Sequence, residues 1–286
     1  MAVVIDGLAI SNKIREKLAE EIANLGYTPS LAVVLVSDDP ASAIYVKRKA
    51  EACKGVGIHS ILYDVERSIW QSALEKIIAS LNDNYEVDGI LIQLPLPPHI
   101  DRGRVFSLLD PEKDVDVLTP YNVGLLVQGR PKMLPCTPHG ISLMLTETGL
   151  SVEGKNVVVI NRSDIVGKPL SSMLIQDNPE YGNATVTVCH VKTPFEQLKR
   201  HCLNADMIVV AVGITGFLTP DMVREGQVII DVGINRPQPR VIVGDVADGV
   251  AEKVGWITPV PGGVGPMTVT GLLLNTVQAA QFRRRR

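Results

Sequence analysis

Strand-like and helix-like stretches alternate along almost the whole chain, and this alternation limits the fold more than any other feature. "SLAVVLVS" (Ser30 to Ser37) is a short β-rich apolar run of the kind a fully buried strand needs. Asp38-Asp39-Pro40 then reads as a helix start, and the helix is expected to run to about Val56. "HSILYDV" gives a second strand, Ile69 to Leu81 a helix, and "VDGILIQLPLPP" a third strand ending in a proline-rich loop. Parallel strands need long crossovers, so the pattern implies a parallel sheet and an α/β class.

The same pattern restarts near Gly154. "KNVVVI", "ATVTVCH", "ADMIVVAVG", "GQVIIDVGIN" and "RVIVGDV" read as strands, with helices after "NRSDIVGKP" and near Phe195 to His201. A βαβαβ run of this kind is expected to form a doubly wound, Rossmann-like domain. Thr137 to Gly149 reads as a linking helix, and "VPGGVGPMTVTGLLLNTVQAAQ" as a glycine-proline loop followed by a final helix. The terminal "RRRR" reads as a solvated tail, favourable at a helix C-terminus. A chain of 286 residues has room for two such domains.

A net charge of -3 leaves no electrostatic footprint for nucleic acid or an anionic membrane. Charges appear too early in "MAVVIDGLAISNKIREKL" for a secretory leader, and no apolar run has spanning length. Cys53, Cys136, Cys189 and Cys202 stand at no metal-ligand spacing. Cys189 and His190 are adjacent on a strand and so face opposite ways. No metal site is expected, and reduced thiols fit a cytoplasmic protein.

Four basic residues crowd "SAIYVKRKAEACKGVGI" (Ser42 to Ile58). At ~100° per residue, Ala41, Ser42, Tyr45, Lys49, Ala52, Cys53 and Val56 share one face. Lys47 and Lys54 fall opposite, and Arg48 lies at the margin. Lys49 is therefore set among apolar neighbours, one turn after Tyr45. Two readings stay open: Lys49 snorkels from the edge of that face, or it is a desolvated proton-transfer group.

After "VVVI" the chain reads Asn161-Arg162-Ser163-Asp164-Ile165-Val166-Gly167-Lys168-Pro169. This is not G-x-G-x-x-G, but a strand, a turn and a helix with Pro169 near its start are the right setting. Free N–H groups at that helix start are expected to suit a pyrophosphate. The next strand ends His190-Val191-Lys192-Thr193, without the acidic residue that usually meets the ribose of NAD. Arg162 and Lys192 suit a 2′-phosphate, which favours NADP; plain surface charges are the alternative.

These stretches together resemble the bifunctional methylenetetrahydrofolate dehydrogenase/cyclohydrolase family. "YVKRK", "QLPLP", "PEKDVD", "PCTPHGI", "RSDIVGKP" and "PVPGGVGPMT" follow in that family's order, nearly end to end. The resemblance implies two α/β domains flanking a cleft. A folate-binding catalytic domain would take 1–138 plus 266–286, and a Rossmann-like NAD(P)-binding domain 139–265. It implies oxidation of 5,10-methylenetetrahydrofolate with NADP, hydrolysis of the methenyl product to 10-formyltetrahydrofolate, and a homodimer paired through the nucleotide domains. An NAD-preferring or monofunctional dehydrogenase of the same fold is the rival.

By the same resemblance Lys49 is the cyclohydrolase lysine, Tyr45 borders the folate ring, Gln93 steadies the lysine, and Asp116 binds the pterin. Ser42, Leu94, Pro95, Pro261, Gly262 and Gly263 would line the substrate. Around the cofactor would lie Asn161, Arg162, Ser163, Val166, Gly167, Pro169, His190, Val191, Lys192 and Thr193. Val212, Gly213, Ile214, Asp231, Gly233, Ile234, Gly265 and Thr268 would complete that site. Hydride transfer would need positioning rather than a protein acid or base.

The chain departs from the pattern at four places. Asn161 stands where a glycine is usual, and is expected to keep the turn by tolerating φ > 0. Val191 replaces a serine near the 2′-phosphate, which leaves NAD open. Val117 replaces a glycine in "DVDG" and is not expected to copy a φ > 0 conformation, so the Asp116 loop would bend. His139 stands where Lys or Arg is common and is expected to change surface charge only.

Overall fold

A computed structural model describes residues 1–238 and 241–284, with side chains at all of these except Pro40 and Ala41. The first half carries β1 (Val3–Val4), α1 (Gly7–Ala23), β2 (Ser30–Val36), α2 (Pro40–Val56), β3 (His59–Val65), α3 (Gln71–Asp83) and β4 (Gly89–Ile92). Then come α4 (Arg102–Leu108), α5 (Pro120–Val127), α6 (Cys136–Glu147), β5 (Asn156–Ile160), α7 (Gly167–Leu174), β6 (Thr185–Cys189), α8 (Phe195–Asn204) and β7 (Met207–Val210). The chain closes with β8 (Val228–Asp231), β9 (Asn235–Gln238), β10 (Val241–Val243), α9 (Val250–Lys253), β11 (Trp256–Ile257) and α10 (Val264–Arg284).

These elements form two compact units. The three-stranded unit holds a parallel sheet in the order β3-β2-β4. Every residue of β2 is buried, as an apolar run without alternation requires of a central strand. The strand β3 lies at the edge and alternates in exposure. One core cluster packs α1, α2 and α10 residues (Leu18, Ile22, Val46, Cys53, Leu273) on one side of the sheet. A second packs α3 and α4 residues (Leu74, Ile78, Phe106) on the other.

The six-stranded unit has the order β1-β11-β8-β7-β5-β6, all parallel, with β9 and β10 as a separate antiparallel pair. The chain leaves β5 for β6 on one side and reaches β7 on the other. The crevice between β5 and β7 is therefore a topological switch point, where open α/β sheets bind ligands.

Packing groups the chain's ends differently from the expected domain ranges. Residues Met1–Asn12 belong to the six-stranded unit, with Leu126–Arg130 and Thr137–Thr268. The cause is β1, whose Val3 and Val4 lie in register with Trp256 and Ile257 of β11. The helix α1 was also unforeseen, although Ile10, Ile14, Leu18 and Ile22 recur every four residues and Leu18 and Ile22 are buried.

The terminal arginines are not all solvated either. The Asp88 carboxylate, fully buried, accepts from Ser30 N at 2.9 Å and from both Nε (3.0 Å) and Nη2 (2.9 Å) of Arg284. The guanidinium of Arg284 also covers the Tyr27 ring, and Arg283 donates to Val87 O. The end of α10 is thus clamped to the start of β4. Arg285 and Arg286 lie outside the described residues.

His139 is not a surface charge. The residue is half-buried, and its Nδ1 is closed off from water without a hydrogen-bond partner. Burial pushes its imidazole down to about 4 from the ordinary 6.5. Between these values the unfolded chain binds the extra proton and the folded one does not, so this group's stabilisation is present above pH 6.5 and is lost as pH falls through 4. The loss is at most on the order of 3 kcal/mol. We expect melting temperatures measured from pH 7 to pH 4 to fall less steeply for His139→Gln than for the parent. Parallel curves would show that His139 titrates normally.

Candidate active site

The start of α2 is set by Asp39, whose Oδ2 accepts from Ser42 N at 3.2 Å and from Ser42 Oγ at 3.1 Å. Ser42, expected to line the substrate, is buried and its hydroxyl serves this cap. Along the helix Val46, Cys53 and Val56 are buried, and Tyr45, Lys49 and Ala52 are half-buried. Lys47, Arg48 and Lys54 are exposed. The face drawn from the sequence packs from Ser42 to Val56, with Val46 buried beside it and the Ala41 side chain outside the described residues, and Lys49 is the basic residue on it.

Lys49 does not snorkel into solvent. Its Nζ donates to Gln93 Oε1 at 2.9 Å. The Gln93 Nε2 donates in turn to Leu94 O at 2.7 Å, and the Gln93 backbone N to Val34 O at 2.9 Å. Gln93 directly follows β4, so the lysine is held at the carboxyl end of a parallel sheet. Leu94 is half-buried and Pro95 exposed beside it.

Asp114 and Asp116 divide the work of the next loop. Asp114 is buried and accepts from Leu118 N (3.1 Å), Thr119 N (2.8 Å) and Asn122 Nδ2 (2.9 Å). It builds the loop that leads into α5. Asp116 is half-buried next to the Cys136 thiol. Burial pushes that thiol well up, the Asp116 carboxylate pushes the same way, and Lys49 opposes. The charges of Lys49 and Asp116 therefore both reach one buried sulfur, that of Cys136 in "PCTPHGI".

Val117 corrects an expectation: it does adopt the glycine-like conformation, with φ of 61°. A β-branched residue there is strained by roughly 1–3 kcal/mol. Its side chain is buried in the core beside Val115 and Cys136, which offsets that cost. With Val117 in this conformation, Asp116 lies beside the Cys136 thiol.

In the six-stranded unit the turn after β5 is also built differently from expectation. The non-glycine residues described with positive φ are Val117 and Asn183, so Asn161 keeps the turn by its side chain. Asn161 Oδ1 accepts from Ser163 N (2.7 Å), Ser163 Oγ (2.7 Å) and Gly167 N (2.9 Å), and its Nδ2 donates to Ala211 O. Val166 N donates to Ser163 Oγ at 3.2 Å and Lys168 N to Ser163 O at 3.0 Å. The N–H groups at the start of α7, expected to be free, are thus taken by the turn itself. Gly167 is required because a Cβ there would overlap the Asn161 backbone. Pro169, third in α7, is buried.

Arg162 and Lys192 are both exposed. They follow β5 and β6, neighbours paired with Ile160 opposite Cys189. Between them His190 to Thr193 form a tight turn: His190 N donates to Thr193 Oγ1 at 3.0 Å and Lys192 N to His190 Nδ1 at 3.2 Å. Val191 is exposed. The turn after β6 carries no carboxylate, and Lys192 there, with Arg162 after the neighbouring β5, fits a phosphorylated ribose better than a bare one.

Gly213, Ile214 and Ile234 are exposed, and Val212 is half-buried. Asp231 is buried, and both its oxygens accept backbone N–H groups, so it supports the site from beneath instead of facing a ligand. Gly262 takes φ of 105° and its carbonyl accepts from Leu8 N at 2.8 Å. Pro261 and Gly265 are exposed, and Gly263 is buried against Gly7. Thr268 Oγ1 lies 3.0 Å from Thr137 Oγ1. The four cysteines are buried free thiols.

A doubly wound nucleotide-type unit joined to an α/β unit with a sheet-edge lysine-glutamine pair defines a two-domain, cofactor-using α/β enzyme class. Comparison with known proteins narrows it. A family model described as the tetrahydrofolate dehydrogenase/cyclohydrolase catalytic domain matches residues 5–116, and the NAD(P)-binding domain model of the same family matches 135–284. The chain belongs to that family. It is 50% identical over 287 residues to the bifunctional protein FolD of Campylobacter hominis, covering 99% of both chains. It is 47% identical to that of Nitratiruptor sp., again over 99% of both. The crystal structure of the Campylobacter jejuni FolD dehydrogenase/cyclohydrolase superposes with a TM-score of 0.94 at 45% identity, covering 99% of this chain and 100% of that one. The Trypanosoma brucei enzyme, solved with NADP and an inhibitor, gives 0.93 at 36% identity, covering 100% and 99%.

Proposed function

We propose that this chain oxidises 5,10-methylenetetrahydrofolate to the 5,10-methenyl cation with NADP and hydrolyses that cation to 10-formyltetrahydrofolate. The observation that carries the proposal is the Lys49–Gln93 pair at the carboxyl end of β4, in a chain about half identical to bifunctional relatives.

In the first step a substrate nitrogen lone pair expels hydride from the methylene carbon. NADP, when bound, accepts it. Protein groups supply position: Arg162 and Lys192 would hold the 2′-phosphate, and the Val212–Ile214 and Pro261–Gly263 loops would border the rest. In the second step water adds to the methenyl carbon and gives up a proton. The tetrahedral adduct then breaks its bond to N5, which takes a proton, and one proton is released overall. Lys49 is the group placed to relay these protons, with Gln93 fixing its amine and Asp116 orienting the pterin by accepting two donors from its edge.

The rival NAD-preferring dehydrogenase is separated by one assay. Absorbance is followed with methylenetetrahydrofolate and either NADP or NAD. We expect turnover with NADP, no lasting methenyl accumulation, and a rise of about tenfold or more in KM for NADP in Arg162→Ala and in Lys192→Ala. Preference for NAD, with both variants indifferent, would support the rival.

A homodimer through the nucleotide-binding unit is part of the same proposal. The edge strand β6 and the start of α8 expose Val188 and Phe195, apolar surface that pairing would cover. We also assign the enzyme to the cytoplasm, on its four free thiols. Among the described residues no helix is long and apolar enough to cross a membrane.

A further inference from the structure

We propose that Asp245 is a positioning residue for the nicotinamide cofactor, acting by holding the Val212–Ile214 loop in its cofactor-accepting shape. The proposal rests on the reading that this loop borders the nicotinamide nucleotide.

Asp245 is fully buried. Its Oδ2 accepts from Val212 N at 2.6 Å and Gly213 N at 2.9 Å, and its Oδ1 from Ile214 N at 2.9 Å and Asn235 Nδ2 at 2.8 Å. Three consecutive amides aimed at one point form an anion-binding nest, and here the nest is filled from inside the protein. The loop leaves the carboxyl end of β7, on one flank of the switch point. Its amides turn inward to the carboxylate, so Gly213 and the Ile214 side chain face outward. A ligand there would meet a surface whose shape the carboxylate sets.

Asp245 is itself held in place. Its backbone N donates to Asp231 Oδ1 at 3.0 Å, Val246 N to Asp231 Oδ2 at 3.0 Å, and Gly233 N to Asp231 Oδ1 at 2.9 Å. Asp231 N donates to Thr258 Oγ1 at 2.8 Å. Glycines make room for the two carboxylates: a Cβ at Gly244 would overlap that of Asp231, and one at Gly233 would overlap that of Asp245. The result is a two-step truss from the end of β8 to the loop after β7. Charge is not what Asp245 contributes outward; it contributes four acceptor positions, two on each oxygen. An asparagine has the same shape but one acceptor oxygen. Whichever way its amide turns, an NH₂ group faces two donors.

The bifunctional chain carries its own control, because methenyl hydrolysis needs no NADP and its lysine belongs to the other compact unit. In Asp245→Asn we expect KM for NADP to rise by about tenfold or more while the methenyl hydrolysis rate stays within about twofold of the parent. Gly213→Ala, which forces a side chain into a φ of 69°, is the loop control and should raise the same KM. If Asp245→Asn does not accumulate folded protein, Asn235→Ala removes one donor and should give a smaller rise in the same constant. Loss of both activities in step with thermal stability, in whichever variant folds, would make the truss merely structural and overturn the proposal. A raised KM in Gly213→Ala with no change in Asp245→Asn would overturn it and leave the loop reading intact. No change in either variant would overturn the loop reading and the proposal together.

Discussion

Lys49→Met is expected to lower methenyl hydrolysis by about 10²- to 10⁴-fold, the range for a lost proton-transfer group, and to leave hydride transfer at least partly active. Methionine keeps the length and apolar stem of lysine on a helix face where Val46, Cys53 and Val56 are buried, so α2 should pack as before. What disappears is the Nζ donor held 2.9 Å from Gln93 Oε1. Hydride expulsion draws on the substrate's own nitrogen, so the oxidation has no use for that amine except as a neighbour. The predicted sign is a methenyl intermediate that accumulates during turnover with NADP. Lys49→Arg refines the test, because a guanidinium keeps the charge but does not give up its proton. Hydrolysis retained in the arginine variant would reduce Lys49 to an electrostatic role, and hydrolysis retained in the methionine variant would remove it from the mechanism.

The residues show why some of this was legible in the sequence. Local periodicity carries strand and helix identity. The run Ser30–Val36 has no alternation and becomes a strand buried throughout, and the 100° spacing along α2 separates Lys49 from Lys47, Arg48 and Lys54. Long-range pairing carries what was missed. Nothing near Val3 says that it will pair with Trp256, some 250 residues away, and so the packing of the first residues against the six-stranded sheet does not show in the local pattern. Arg284 finds Asp88 at a separation of 196 residues, beyond any pattern a tail of four arginines can display. Side chains standing in for backbone were the other blind spot. Tolerance of a glycine's φ is the local signal at Asn161, whereas the residue holds the turn by accepting three hydrogen bonds at Oδ1 and donating one from Nδ2. At Val117 the same signal points away from a glycine's conformation, which the residue copies after all, because burial of its side chain offsets the strain.

Lys113→Met should cost more stability than any other single change considered for the three-stranded unit. Lys113 lies in "PEKDVD", between residues whose carboxylates draw the eye, yet it is among the largest fully buried side chains. Its Nζ donates to three carbonyls, Leu81 O (2.7 Å), Asn82 O (2.6 Å) and Asn84 O (2.7 Å). These belong to the end of α3, where the last carbonyls have no helical partner and the helix dipole favours a cation. The backbone of the same residue serves the sheet, Lys113 O accepting from Ile90 N at 2.7 Å. One lysine therefore ties α3, β4 and the loop of Asp114 and Asp116 together. Methionine fills the space and leaves the carbonyls unsatisfied at about 1–3 kcal/mol each. Removing a buried ammonium returns part of that, so a net loss on the order of 3 kcal/mol is expected in denaturant unfolding. That is a large share of a typical total of about 5–15 kcal/mol. The pH dependence identifies the cause. Burial, with Arg283 nearby acting the same way, brings Lys113 down to about 8 from 10.5. Between these values the unfolded chain binds the extra proton, so this group makes the parent more stable as pH rises through that window, and the methionine variant should lack the slope. An unfolding midpoint equal to or above the parent's at pH 7 would show that apolar filling fully offsets the three lost hydrogen bonds.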